Sequence, residues 1–410
     1  MNDQHDASLI ALTPINPAYQ RDPHEVLRPL REACPVARDT RTGTCIVTGY
    51  AEAHRVLANR RTFRDGARAE EAAVLIRRQA EQLPPGVPRA EAVSILGLDD
   101  PDHARIRRPL QRAFYARVKT CRERVERVID SALDAIDPAQ PFDLMTFYCV
   151  PIPVDAIAAI LGVEGGRLTD FREWSEGVIL GLNPFRSPEQ TMIFERCRAA
   201  LRGYFHEQIE GRRADPRDDL ISDMVALQAE GAEINDAELA INLIALLVGG
   251  NLTTTDLIGN GARLLMLNPA ERDKLLGDPS LAPALVEEVL RFEGPVDITQ
   301  RIMADDVEIG GCPVAARQAV TTVLRAANRD PAVYEEAERF VIDAKRAPHL
   351  SFGGGGHICI GAPLARLEGQ LALLKLFLRF PRLRIVDPDA EPQWRTLPFF
   401  RGLEKLIVQA

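Results

Sequence analysis

The segment Phe352-Gly353-Gly354-Gly355-Gly356-His357-Ile358-Cys359-Ile360-Gly361 constrains this chain more than any other, because Ala362-Pro363 then opens a long apolar helix. Glycines let a backbone approach a bulky group, since they carry no side chain and tolerate unusual dihedrals. Proline in the first helical turn fixes where the helix starts. The unpaired N–H groups of a helix start favour a thiolate over a thiol. The run therefore suits presentation of one thiolate, from Cys359, to a flat cofactor. Alone, it equally suits a small buried cysteine beside a flexible loop. A phosphate loop would need Gly-Lys-Ser/Thr next, which is missing, and a zinc site has no Cys-x-x-Cys pair to draw on.

With 410 residues, 46% of them apolar, the chain can bury a large core. A net charge of −9 argues against non-specific nucleic-acid binding. The seven cysteines are scattered and odd in number, which fits a reducing cytoplasm. Residues Met1 to Pro14 read as neither signal peptide nor anchor, and the apolar stretch Leu239 to Val248 is too short to span a bilayer. A soluble protein without membrane attachment is expected. Helical spacing of apolar residues predicts helices at Asp102–Tyr115, Val118–Ile136, Gln190–Gly211, Asp236–Leu267, Pro283–Phe292 and Pro363–Phe380. Short β-like pieces fall at Cys45–Thr48, Thr299–Ile302, Asp306–Ile309, Leu383–Ile385 and Lys405–Val408. The fold class is mostly α with small β-sheets (α+β). Breaks at Leu83–Pro88 and Leu182–Pro188 read as surface loops within one domain, residues 1–410.

Three further motifs bear on function. Glu288 and Arg291 share a helix face at i, i+3 and can pair. Arg339 is a candidate third member of a buried charged cluster. In Ala245-Leu246-Leu247-Val248-Gly249-Gly250-Asn251-Leu252-Thr253-Thr254-Thr255-Asp256, adjacent glycines cost about 1 kcal/mol each relative to alanine, so something must use the room. That is either a close helix crossing or a bent, widened helix with space for a small ligand. His103 and Arg107 lie four apart on one face, either solvated or clamping a carboxylate.

In this order the motifs resemble the cytochrome P-450 family, specifically its soluble bacterial members, over nearly the whole chain and most strongly from Ser94 to Gly361. The resemblance implies a single triangular helical domain enclosing haem b, with Cys359 as the axial iron ligand and Phe352, His357 and Gly361 shaping its loop. It implies that His103, Arg107, Arg301, His349 and His357 face the propionates. Glu288, Arg291 and Arg339 are then structural. Gly249 and Gly250 form a groove for O2, the co-substrate, and Thr253 is the threonine of the oxygen-activating helix. Leu252 departs from the family, which places an acid there, so Asp256 is a candidate substitute for the proton relay. The implied pocket is lined by Ile95, Leu96, Ile244, Val248, Val296, Ile298, Phe399 and Phe400. Asp297, near the haem face, is either a substrate anchor or a partner of nearby backbone.

The implied activity is a haem-thiolate monooxygenase acting on a small to medium, largely apolar organic substrate. No reductase or ferredoxin domain lies within 1–410, so electrons are expected from a separate ferredoxin and NAD(P)H-dependent ferredoxin reductase. Arg105, Arg107, Arg108, Arg112, Arg117 and Lys119 offer such an acidic partner a basic patch. A monomer is expected. The alternatives are a peroxide-driven peroxygenase, although no carboxylate-binding arginine is visible near Thr253, and a haem sensor without turnover.

Overall fold

The longest helix runs through the middle of the protein, and the site is assembled along it. The computed structural model describes residues 7–410 apart from 75, 78–85 and 164–166. Seven helices frame the interior: α1 (Asp102–Thr120), α2 (Pro151–Leu161), α3 (Leu168–Ile179), α4 (Pro188–Ala214), α5 (Asp236–Leu267), α6 (Ala282–Glu293) and α7 (Ala362–Arg379). Helix α5 begins at a reciprocal cap: the Asn235 side chain accepts the Glu238 N–H, and the Glu238 carboxylate accepts the Asn235 N–H. It is long and apolar enough to cross a bilayer, yet 72% of its most apolar 18-residue window is buried within the protein. It packs on α2, α4, α6 and α7. Gly259 and Gly261 permit that approach, since a Cβ on either would stand 2.7 Å from Met145 Sδ or Leu373 Cδ1.

The largest sheet contains β1 (Val36–Asp39), β2 (Thr44–Val47), β3 (Thr62–Phe63), β4 (Ile298–Met303) and β5 (Ala319–Val323), in the order β1-β2-β5-β4-β3. Only the β2–β5 pair is parallel. Pairing of Arg301 with Val320 fixes the register that carries Ile298 and Arg301 to the cavity wall.

Most expected elements form, with shifted ends. Helix α1 runs past Tyr115 to Thr120, and the next helix starts at Arg122, not Val118. The strand expected at Lys405–Val408 is two strands, Leu403–Lys405 and Ile407–Gln409, separated at Leu406. Residues 83–85 of one expected loop lie outside the described residues.

Glu288 and Arg291 pair as expected, with Nε–Oε2 at 2.7 Å and Nη2–Oε1 at 2.8 Å, both side chains at most 5% exposed. Arg291 also donates to the carbonyls of Asn328, Ala337 and Arg339. The third cation is not Arg339. Its guanidinium is exposed and pairs with Glu336; only its carbonyl joins the cluster. Arg346 takes the place, with Nε 3.2 Å from Glu288 Oε2.

A second buried cluster corrects the expectation for Asp297. Its carboxylate accepts from Tyr19 Oη at 2.9 Å and Arg325 Nε at 2.5 Å, so it ties the N-terminal helices to the core and does not face the cavity. Arg325 Nη1 also reaches Glu293 at 2.5 Å. Burial pushes Glu293 up, but Arg325, Arg401, Arg329 and Arg263 outweigh it and hold the carboxyl at about 2, against an ordinary 4.5. A depressed carboxyl stabilises the fold above its unfolded pKa, and that stability is lost as pH falls through the folded one. Urea unfolding of wild type should therefore weaken between about pH 4.5 and 2, and Glu293→Gln should be weaker at pH 7 but flatter across that window. A wild-type slope retained in the variant would show that Glu293 is not the group responsible.

Candidate active site

A cavity of about 610 Å³ opens between α5, α4, β4 and the cysteine loop. The loop is bent to fit: Gly353 and Gly355 have φ of +68° and +65°, and a Cβ on Gly355 would fall 2.5 Å from the Leu57 carbonyl oxygen. The Cys359 N–H donates to the Phe352 carbonyl at 2.9 Å, and both residues line the cavity, as does Gly361. Burial pushes the Cys359 thiol up. The N–H groups of Gly361 and Ala362, and the charges of Arg107 and Arg366, oppose it. Burial wins that balance, so the site would need a metal cation at the sulfur to favour the thiolate.

Cations ring the same cavity. Arg107, Arg301 and His357 line it, and the His103 ring lies 4.1 Å from that of His357. Arg64 joins them, donating to Leu96 O at 3.0 Å, Thr299 Oγ1 at 2.9 Å and Gln300 O at 2.8 Å. Burial and Arg64 lower Arg301 to about 9, with Asp99 opposing only in part. Burial, then His103, Arg64, Arg301 and Arg107, hold His357 neutral, down to about 2. His103 is lowered by burial and Arg107, and its buried Nε2 has no partner. Such a surplus of buried donors fits a ligand bearing two carboxylates, as haem does. His349 is not part of it. Its Nδ1 accepts the Ser351 N–H, its Nε2 lies 3.2 Å from Glu287, and it does not line the cavity.

Along α5 the glycine pair resolves in favour of a groove. A Cβ on Gly249 would meet nothing within 4 Å, and one on Gly250 would meet only Ile157, at 3.6 Å. Neither is needed for a helix crossing, and both line the cavity. Thr253 lines it too, its hydroxyl donating back to the Gly249 carbonyl at 2.7 Å. The helix continues unbroken through this stretch. Leu252 faces the cavity where the resemblance implies an acid.

Asp256 does not stand in for it. It is fully buried, both its oxygens accept from Arg395 Nη1 at 2.9 Å, and it does not line the cavity. At i+3 on a helix with several buried faces, sequence spacing did not fix which neighbour it meets. The acid that does approach is Glu368 on α7, which sequence reasoning missed. It is 1% exposed and raised well above the ordinary carboxyl range by burial, with the neighbouring Thr254 side chain opposing only in part. Its Oε1 has no partner, and Thr254 lines the cavity. The only sequence signal was a lone acid on an apolar face of α7.

Ile95, Leu96, Ile244, Val248, Val296, Ile298 and Phe400 line the cavity as expected. Phe399 does not: it packs against the apolar cluster that includes Leu9, Tyr19 and Ile298, while its carbonyl accepts the Asp297 N–H. The expected basic patch is thinned, since Arg105 pairs with Asp102 and Glu238, and Arg117 with Asp218 and Asp223. Arg108, Arg112 and Lys119 stay exposed.

Fold and cavity together define a haem enzyme. The chain belongs to the cytochrome P450 family, whose model matches residues 178–393. It is 34% identical to Cytochrome P450 107B1 of Saccharopolyspora erythraea over 96% of each chain. It is 32% identical to 6-deoxyerythronolide B hydroxylase of the same organism, over 96% of this chain and 97% of that one. The myxobacterial cytochrome P450 CYP267B1, solved in complex with myristic acid, superposes with a TM-score of 0.85 at 32% identity, over 96% of this chain and 97% of that one. The protein is thus a bacterial cytochrome P450 monooxygenase, an oxidoreductase that uses haem iron.

Proposed function

We propose that this enzyme inserts one oxygen atom of O2 into a small to medium, largely apolar organic substrate, drawing electrons from a separate ferredoxin and its NAD(P)H-dependent reductase. The observation that carries this reading is that one apolar cavity gathers Cys359, Thr253 and a cluster of unneutralised cations. The whole of 1–410 is then one haem domain, soluble and cytoplasmic. A relative named 6-deoxyerythronolide B hydroxylase and a neighbour solved in complex with myristic acid support a mainly apolar substrate.

Cys359 would ligate the iron, and Arg64, Arg107, Arg301, His103 and His357 would hold the propionates. The haem, once bound, supplies the redox chemistry. Ile244, Val248 and Val296 orient the substrate and exclude water. The Thr253 hydroxyl, anchored on Gly249 O, hydrogen-bonds at the groove beside Gly249 and Gly250. Protons come from Glu368, kept neutral by burial, through Thr254 and not through Asp256.

Glu368→Gln should therefore lower product formed per electron by about 100-fold, the low end for general acid catalysis, with a matching rise in hydrogen peroxide released. Asp256→Asn should leave this ratio unchanged. Product and peroxide are measured against NAD(P)H consumed with a surrogate ferredoxin system. Equal coupling in Glu368→Gln and wild type would remove the relay. Turnover with hydrogen peroxide alone that exceeds the ferredoxin-driven rate would replace the monooxygenase reading with the peroxygenase one.

A further inference from the structure

We infer that the substrate carries a carboxylate, and that Arg202 on α4 anchors it. This deepens the monooxygenase reading and rests on it.

Phe194, Arg198 and Arg202 stand four residues apart, so they form one stripe on α4. All three line the cavity. Helix α4 packs chiefly on α3, α5, the helix Leu220–Ala229 and the Leu180–Leu182 turn, and not on α7 behind the cysteine loop. The stripe therefore marks a wall remote from Cys359. Around it the lining is apolar, including Val178, Leu182 and Leu246.

The two arginines differ. Arg198 is neutralised in place, with Nη2 2.5 Å from Glu195 Oε2 and its guanidinium over the Phe194 ring. Arg202 is partly buried and has no ion pair or hydrogen-bond partner among the described residues. In a protein of net charge −9 other helix-borne arginines find an acid, as Arg105, Arg117 and Arg213 do. Arg64, Arg107 and Arg301 belong to the other wall, where they contact Thr299 Oγ1, Ile358 O and Gly354 O.

A half-buried guanidinium beside apolar walls lacks part of its hydration. A ligand with an apolar body and one carboxylate satisfies both surfaces, because carboxylate and guanidinium pair in two parallel hydrogen bonds. The body then extends from α4 towards Thr253, which places oxidation at carbons remote from the acid group.

The test is an optical titration of the haem-loaded enzyme with dodecanoate and with methyl dodecanoate, which share one apolar chain and differ in that a methyl group removes the charge. A charged hydrogen bond of this kind corresponds to about 10- to 100-fold in affinity. Dodecanoate should bind that much more tightly to wild type, Arg202→Gln should bring the two within about threefold, and Arg202→Lys should keep part of the preference. Arg202→Gln must match wild type in haem content and in its carbon monoxide spectrum, which shows an intact fold. Equal binding of acid and ester to wild type, binding of neither, or a preference that survives Arg202→Gln would each overturn the anchor. A wild-type protein without the thiolate carbon monoxide spectrum would instead overturn the monooxygenase reading itself.

Discussion

Cys359→Ser should abolish the red-shifted absorption of the reduced, carbon monoxide-bound pigment and reduce turnover to background, while haem still enters the cavity. The sulfur supplies the electronic character of the site, because a thiolate pushes electron density that a neutral hydroxyl does not. Retention of the macrocycle follows from geometry. Arg64, Arg107, Arg301 and the His103–His357 pair are held by contacts that do not involve the sulfur, such as Arg64 on Gln300 O and Arg107 on Ile358 O at 2.5 Å. The measurement is a carbon monoxide difference spectrum beside haem content by pyridine haemochrome. Survival of the red-shifted band in Cys359→Ser would mean that another residue ligates the iron. An unaltered band with no haem loss in an Arg107→Ala, Arg301→Ala double variant would likewise show that the cation cluster has another purpose.

What could be read from the sequence follows from how local each signal is. The cysteine loop is one contiguous motif, and the glycine pair with Thr253 is another, so the backbone requirements of each are written in neighbouring residues, and both line the one cavity. Helix ends shifted by a few residues because capping competes with periodicity, as where Cys121 splits one expected helix boundary. Residues assigned by partner failed more often. Arg339 and Arg346 lie seven apart in one irregular segment, and nothing local says which guanidinium turns inward to Glu288. Asp297 was close enough to the cavity-lining Val296 and Ile298 to suggest a site residue, but alternation along the chain turns it to Tyr19 and Arg325. Arg64 and Arg202 were missed because each reaches the cavity from an element with no motif around it, and Glu368 because it lies behind the cavity wall, beside Thr254, with only apolar residues next to it in sequence to mark it.

The Glu288–Arg291 pair makes the second large effect predictable. Arg291→Ala should destabilise the protein by about 3–5 kcal/mol, the usual consequence of stranding one member of a buried pair. The loss should exceed the pair itself. Arg291 also satisfies the carbonyls of Asn328, Ala337 and Arg339, which fix the segment leading into the cysteine loop. Arg291→Lys should recover little, because one ammonium cannot span a bidentate carboxylate and three carbonyls at once. Arg346→Ala should cost less, since Glu288 keeps Arg291 and the Val341 N–H at 3.0 Å. Arg339→Ala should change stability by no more than about 0.5 kcal/mol, as its side chain makes only an exposed ion pair. Urea melts of the four variants, followed by circular dichroism and by haem absorbance, give the ranking. If Arg339→Ala proved as damaging as Arg291→Ala, Arg339 and not Arg346 would be the third charge of the cluster. If Arg291→Lys melted like wild type, the carbonyl contacts would carry no weight, and the segment before Cys359 would have to be held by its own turns alone.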